Sequence, residues 1–199
     1  MKINQFHLAA VFCSLASSGF AQESAGINTL MDLCIPITAD GESARAGLRR
    51  AGWTELSKPE AAAPLANLIA SHMWHLAANA PSQGRIDLTD DYTDAFFASL
   101  GNAMLGPIFT LEDQVVMVLE ADGNLSCMWA GSENDALLAR IQEIGGFPAA
   151  DGSVTAAKTQ IVEFDSADYK RIETYAYIES TDRVGPLPYA ARLDRSPVQ

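Results

Sequence analysis

Residues 115–131 read VVMVLEADGNLSCMWAG, two apolar runs that meet at Asp122-Gly123-Asn124. Asp, Gly and Asn accept the backbone angles of a tight reversal, so this stretch predicts a β-hairpin. Side chains two apart on a strand point the same way, which places Cys127 and Trp129 on one face of the sheet. The hairpin divides the chain into an N-terminal and a C-terminal part of different character.

Before it lie helical patterns. Ile27, Leu30, Met31 and Cys34 recur at helical spacing, which turns Cys34 inward, and Pro36 cannot prolong that helix. Asp40 can cap a second helix that runs to Ala51, with Gly52 as its left-handed C-terminal residue and Trp53 packing back on Leu48. Ser57-Lys58-Pro59-Glu60 is a capping box that opens a third helical stretch, striped by Leu65, Leu68, Ile69, His72, Met73 and Leu76. Residues 79–84 read as a loop. Thr89 or Asp90 then caps a fourth helix with Tyr92, Phe96, Phe97 and Leu100 inward, ending at Gly101, and the segment through Gly106-Pro107 reads as irregular.

After the hairpin, Ser132 begins a helix with Leu137, Leu138, Ile141 and Ile144 on its apolar stripe, stopped by Gly145-Gly146 and Pro148. Residues 149–157 read as a small-residue linker. Residues 159–164 and 171–179 alternate at period two and read as strands joined around Asp165-Ser166. The tail carries Pro186, Pro188 and Pro197, which limits it to one edge strand near Tyr189. Helices first, then hairpin, helix and hairpin, define an α+β fold. The expected arrangement packs the N-terminal helices on one face of a four- to five-stranded antiparallel sheet, with a β-hairpin/helix/β-hairpin C-terminal half.

The first residues carry an address. Met1-Lys2, an apolar stretch from Phe6 to Phe20, and small residues at Gly19 and Ala21 have the form of a secretory signal peptide cut after Ala21. Residues 1–21 are then the signal and residues 22–199 a single α+β domain, periplasmic or secreted, soluble and without a membrane anchor. Its removal takes away Cys13 and leaves Cys34 and Cys127, which in an oxidising compartment have one intramolecular connectivity. A Cys34–Cys127 disulfide is therefore expected. The redox-active Cys-x-x-Cys spacing is not present, so the bridge reads as structural.

The formal net charge is −12, and loss of Lys2 with the signal makes the remaining chain more acidic still. Counterion release and attraction to anionic lipid both need the opposite sign, which argues against nucleic acid and membrane surfaces as partners. A protein or small-molecule partner is compatible.

Candidate chemistry is sparse. His72 and His75, at i and i+3, occupy neighbouring positions on one helix face, and a zinc site built on them would need a carboxylate from Asp87, Asp90, Asp91 or Asp94. His72 is not followed by Glu, so this is not the metalloprotease helix motif. The acids of residues 87–94 lack the spacing of a calcium loop and suit a helix N-terminus. No nucleophile elbow or phosphate-cradling loop occurs. Tyr175 and Tyr177 share a strand face and would form a partner-binding patch if that face were left uncovered. These residues lead to an exported, non-catalytic binding or accessory protein that uses no cofactor. The alternative is a metal-dependent hydrolase centred on His72 and His75. N-terminal sequencing of the exported chain should begin at Gln22; a chain that retains residues 1–21 contradicts the signal reading.

Overall fold

The computed structural model describes residues 20–77, 80–101, 105–132, 135–148, 153–178 and 185–198, with main chain only at 20–25, 74, 75, 105, 147 and 148. In chain order the elements are α1 (Phe20–Cys34), α2 (Gly41–Arg50), β1 (Thr54–Glu55), α3 (Ala62–Leu76), α4 (Ser82–Ser99), β2 (Leu105–Leu111), β3 (Gln114–Ala121), β4 (Asn124–Gly131), α5 (Asp135–Ile144), β5 (Phe147–Pro148), β6 (Val154–Phe164), β7 (Ala167–Tyr177) and β8 (Tyr189–Pro197). The strands form one antiparallel sheet in the order β1-β2-β3-β4-β8-β7-β6-β5.

The expected hairpin is β3–β4. Asp122 and Gly123 both have positive φ, 51° and 77°, which makes a two-residue turn whose twist matches that of its strands. Val116 lies opposite Trp129 and Val118 opposite Cys127, whereas Val115 faces Ala130 and Met117 faces Met128. Both sets are buried. The first packs against Ile27, Leu30, Ala44, Leu48, Leu137 and Ile141 from α1, α2 and α5. The second packs against Leu65, Leu68, Ile69 and Met73 from α3, with Phe96 and Phe97 of α4 at its margin.

Helices therefore cover both faces of the central strands, which corrects the expected one-sided layer, and the sheet has eight strands instead of four or five. The reason is visible in Val115-Val116-Met117-Val118. An uninterrupted apolar run, without alternation, belongs to a strand buried on both sides.

Four further differences concern single elements. The segment before the hairpin is a strand: Gly106-Pro107 produces a bulge between Leu105 and Ile108, after which β2 pairs regularly with β3. A Cβ at Gly106 would lie 2.8 Å from the Val118 carbonyl oxygen, so the bulge brings the main chains too close for a side chain. The fourth helix begins at Ser82, and Thr89 is inside it, its hydroxyl donating to the Arg85 carbonyl at 2.8 Å. The tail strand β8 is central, between β4 and β7. Pro186 and Pro188 precede it and Pro197 ends it, so no proline interrupts its interior ladder. Its Ala191 sits between Trp129 and Tyr175, small enough to leave both rings room. Strand β6 also begins earlier than expected, within the supposed linker.

The local signals of α2 hold. Asp40 accepts from the Ser43 amide at 2.7 Å, Gly52 has φ +89°, and the Trp53 amide donates to the Leu48 carbonyl at 3.1 Å. Glu60 accepts from the Ser57 amide at 3.0 Å and from its hydroxyl at 2.5 Å, but this is only the Glu half of the expected capping box: residues 58–61 form a turn and α3 begins at Ala62.

Cys34, the last residue of α1, is bonded to Cys127 of β4, with Cα atoms 6.4 Å apart. The bridge fastens the N-terminal helix to the hairpin across a separation of 93 residues. For a loop of that size the chain-entropy model gives about 4–5 kcal/mol at most. Peptide mapping of the non-reduced protein should recover one Cys34–Cys127 peptide. The Cys34→Ala/Cys127→Ala variant should lose about 2–4 kcal/mol in urea unfolding, and an unchanged midpoint would contradict a stabilising bridge.

Candidate functional site

The residues singled out by sequence are dispersed by the fold. His72 of α3 is buried, with Nε2 3.2 Å from the Trp129 carbonyl oxygen, the position of a donor when the proton is on that nitrogen. Asp87 and Asp91 lie exposed on α4, where Asp87 accepts from Gln83 Nε2 at 2.8 Å. The ring that was to be one of their co-ligands is therefore turned into the sheet, away from the solvent-facing carboxylates. The side chain of His75 lies outside the described residues. Among the described residues no three His, Cys, Asp or Glu side chains are grouped to hold a metal ion.

Tyr175 and Tyr177 do share a face, but that face is covered. Tyr175 is fully buried among Trp129, Leu137, Ile141 and Ala191, and the Tyr177 ring packs on Tyr189 with centroids 4.8 Å apart. The open aromatic patch is corrected accordingly: the α1, α2 and α5 layer occupies it.

Burial of Tyr175 brings a polar cluster with it. Its hydroxyl donates to Glu173 Oε2 at 2.9 Å, and Arg140 of α5 donates to the same oxygen at 2.7 Å while reaching Glu143 at 2.7 Å. Arg171 Nε stands 3.8 Å from Glu173 Oε1. Burial alone would raise the Glu173 pKa. The hydrogen bonds from Arg140 and Tyr175, with the charges of Arg140 and Arg171, outweigh it and hold the carboxyl below its ordinary value. Burial, then the Glu173 charge, push the Tyr175 phenol well above its own.

Neighbouring arginines are occupied structurally. Arg171 donates to the Ile35 carbonyl at 3.3 Å, and Arg195 to the carbonyls of Ile37 and Ala39. They pin the α1–α2 connection to the sheet, with Glu120 accepting from the Gly41 amide at 3.0 Å. Each of these side chains has a structural partner, so the cluster reads as an anchor for helices and not as a reactive centre.

The opposite face is different. There α3 lies over β2, β3, β4 and the start of β8, α4 packs against α3, and between α3, α4 and β8 is a cleft of about 430 Å³ lined by Met73, Leu76, Ala77, Leu88, Tyr92 and Arg192. Leu76 is 57% exposed and Tyr92 46%, an unusual amount of apolar surface around one depression. Among the described residues, Arg192 supplies the charge of the lining. Its Nε is held by Asp194 at 2.9 Å, which leaves the remaining guanidinium donors for another group. Beyond Arg192 the same face continues over Thr174, Ile172, Ala157, Thr159 and Ile161 of β7 and β6. Arg192 is missing from the sequence-derived candidates because the tail prolines make β8 look like an edge; the signal available was a lone arginine after Ala190-Ala191.

No family model, curated protein or solved structure matches this chain. The class is therefore defined by the structure itself: a disulfide-linked, mixed α+β chain with helices on both faces of an antiparallel sheet. No helix among the described residues is long and apolar enough to cross a membrane.

The Glu173 cluster has a pH signature. A carboxyl whose folded pKa lies below its unfolded value contributes stability that is complete above the ordinary glutamate range and is lost as pH falls through the folded value. Glu173→Gln should therefore flatten the acid limb of stability below about pH 4.5. Urea midpoints measured against pH check this, and a parallel acid limb in the variant would show that Glu173 contributes nothing to it.

Proposed function

We propose that this chain is an exported, non-catalytic binding protein, and that its ligand occupies the cleft between α3, α4 and β8. The observation that carries the reading is the combination of apolar walls, Met73, Leu76, Leu88 and Tyr92, with one arginine, Arg192, only part of whose guanidinium is engaged. An apolar pocket with a single placed charge suits a ligand with an apolar body and one anionic group, such as a carboxylate-bearing lipid or the C-terminus of an apolar peptide. The disulfide supports an oxidising location, as does the signal-like start of the sequence.

The acidic surface is consistent with this choice of site. In a chain of net charge −12, Arg192 is the basic group of the cleft's described lining; Asp194 offsets its charge, so an anion would be held by hydrogen bonds from the terminal guanidinium nitrogens more than by a local positive field. The metal-dependent hydrolase would require a carboxylate at the buried His72 ring, whereas Asp87 and Asp91 lie exposed on α4.

Titration with an apolar anionic fluorophore, anilinonaphthalene sulfonate, tests the site, with a fatty acid as competitor. Saturable, competed binding is expected. Arg192→Met should weaken it about five- to tenfold, the loss of one partly exposed charge-assisted hydrogen bond, and Tyr92→Ser should weaken it comparably. Binding that is unsaturable, or indifferent to both substitutions, removes the cleft from consideration.

A further inference from the structure

Among the described residues, most of the outer edge of strand β6 is uncovered. Its eleven residues pair along their whole length with β7, whereas β5 covers the other side only opposite Val154 and Thr155. From Ala156 to Phe164 no described residue pairs with the outer side. Long sheet edges are ordinarily blunted by proline, bulges or several charges, because free N–H and C=O groups template another strand. Here none of those devices is present: the stretch AAKTQIVEF has no proline, pairs with β7 without a break in register, and carries one Lys and one Glu. It is electrically neutral in a chain of net charge −12. Ile161, at its middle, is 59% exposed, the most exposed large apolar side chain among those described.

The geometry fixes which backbone groups are free. The two-residue turn at Asp165-Ser166 makes Phe164 and Ala167 a mutually hydrogen-bonded pair, so even-numbered residues of β6 direct their backbone groups to β7 and odd-numbered ones direct theirs outward. The β5 pairing agrees with this. Thr155 points outward to Phe147, and Val154 meets Pro148, which has no N–H to give.

We propose that β6 is the homodimerisation edge of this protein, pairing antiparallel with β6 of a second copy about a two-fold axis through Ile161. In this register Ile161 meets Ile161, Thr159 meets Glu163, Gln160 meets Val162 and Lys158 meets Phe164. The outward backbone groups of Thr159, Ile161 and Glu163 are all satisfied, and no like charges face each other. Lys158 and Phe164 are matched as ammonium and ring, the latter 41% exposed. A shift of the axis to Gln160 would bring the partner's turn opposite Thr155, the position β5 already occupies. The two sheets thereby become one continuous sheet, and the cleft at β8, two strands inward, stays open in each copy. This dimer does not depend on what the cleft binds.

Sedimentation velocity on the chain as processed by its exporting host, over about 1 to 200 µM, tests the proposal. A reversible dimer is expected. Ile161→Asp, which sets two carboxylates face to face at the axis, should leave a monomer with unchanged far-UV circular dichroism and melting temperature. Thr159→Lys, which then faces Glu163 of the second copy twice over, should tighten the dimer severalfold and lose that gain in high salt. A monomer at every concentration overturns the proposal. So does a dimer that Ile161→Asp leaves intact, or a Thr159→Lys chain that dimerises less well than the parent.

Discussion

Burial of the β3–β4 hairpin on both faces is the constraint on which the remaining structure depends. Val116, Val118, Cys127 and Trp129 face one helical layer, and Val115, Met117, Met128 and Ala130 face the other. A strand pair with apolar side chains in both directions cannot be stabilised by a single layer, so helices must come to it from two sides. The chain supplies α1, α2 and α5 to one side and α3 and α4 to the other. Because β8 is central too, it borrows the same cover, and Ser71 of α3 fixes the approach to it by donating to the Leu187 carbonyl at 2.7 Å.

The two layers are secured by different means. On the side of α1 the contacts are covalent and ionic as well as apolar: the Cys34–Cys127 bridge, the Arg140–Glu173–Tyr175 cluster, and arginines holding the carbonyls of residues 35–39. On the side of α3 they are apolar side chains, the His72 contact to Trp129 and the Ser71 bond. The looser layer ends in the cleft lined by Leu76, Tyr92 and Arg192. That asymmetry supports the proposal that a ligand binds beside α4, since recognition sites are drawn from regions with fewer constraints.

Much of the fold was legible in the sequence wherever a local interaction decides the outcome. Asp122-Gly123 set the hairpin turn, Asp40 a helix entry and Gly52 an exit, and the assignment of Cys13 to an expected signal peptide left the Cys34–Cys127 pairing that the structure contains. What escaped depends on distant neighbours. The run VVMV carries the mark of double-sided burial, yet its consequence for layer number appears only when two helical groups compete for one strand pair. The tail prolines suggested an edge, but they flank β8 without entering its ladder, and only Ala191, wedged between Trp129 and Tyr175, shows why that strand is central. The sites fared similarly. His72 and Tyr175 were conspicuous as chemistry, and both are buried because their polar atoms find partners, the Trp129 carbonyl and the Glu173 carboxylate, 57 and two residues away in sequence. Arg192 was inconspicuous because its apolar surroundings come from α3 and α4, about 100 residues earlier.

Native-state amide hydrogen exchange tests the central claim most directly, because it ranks segments by the free energy of opening them. If the doubly buried hairpin organises the structure, amides of residues 115–118 and 127–130 exchange only through global unfolding, with the same urea dependence as the whole molecule. Amides near the tip of the β6–β7 hairpin, residues 161–170, open well before them. Exchange of the β3–β4 amides through a lower-energy opening, with another segment outlasting them, would contradict the account.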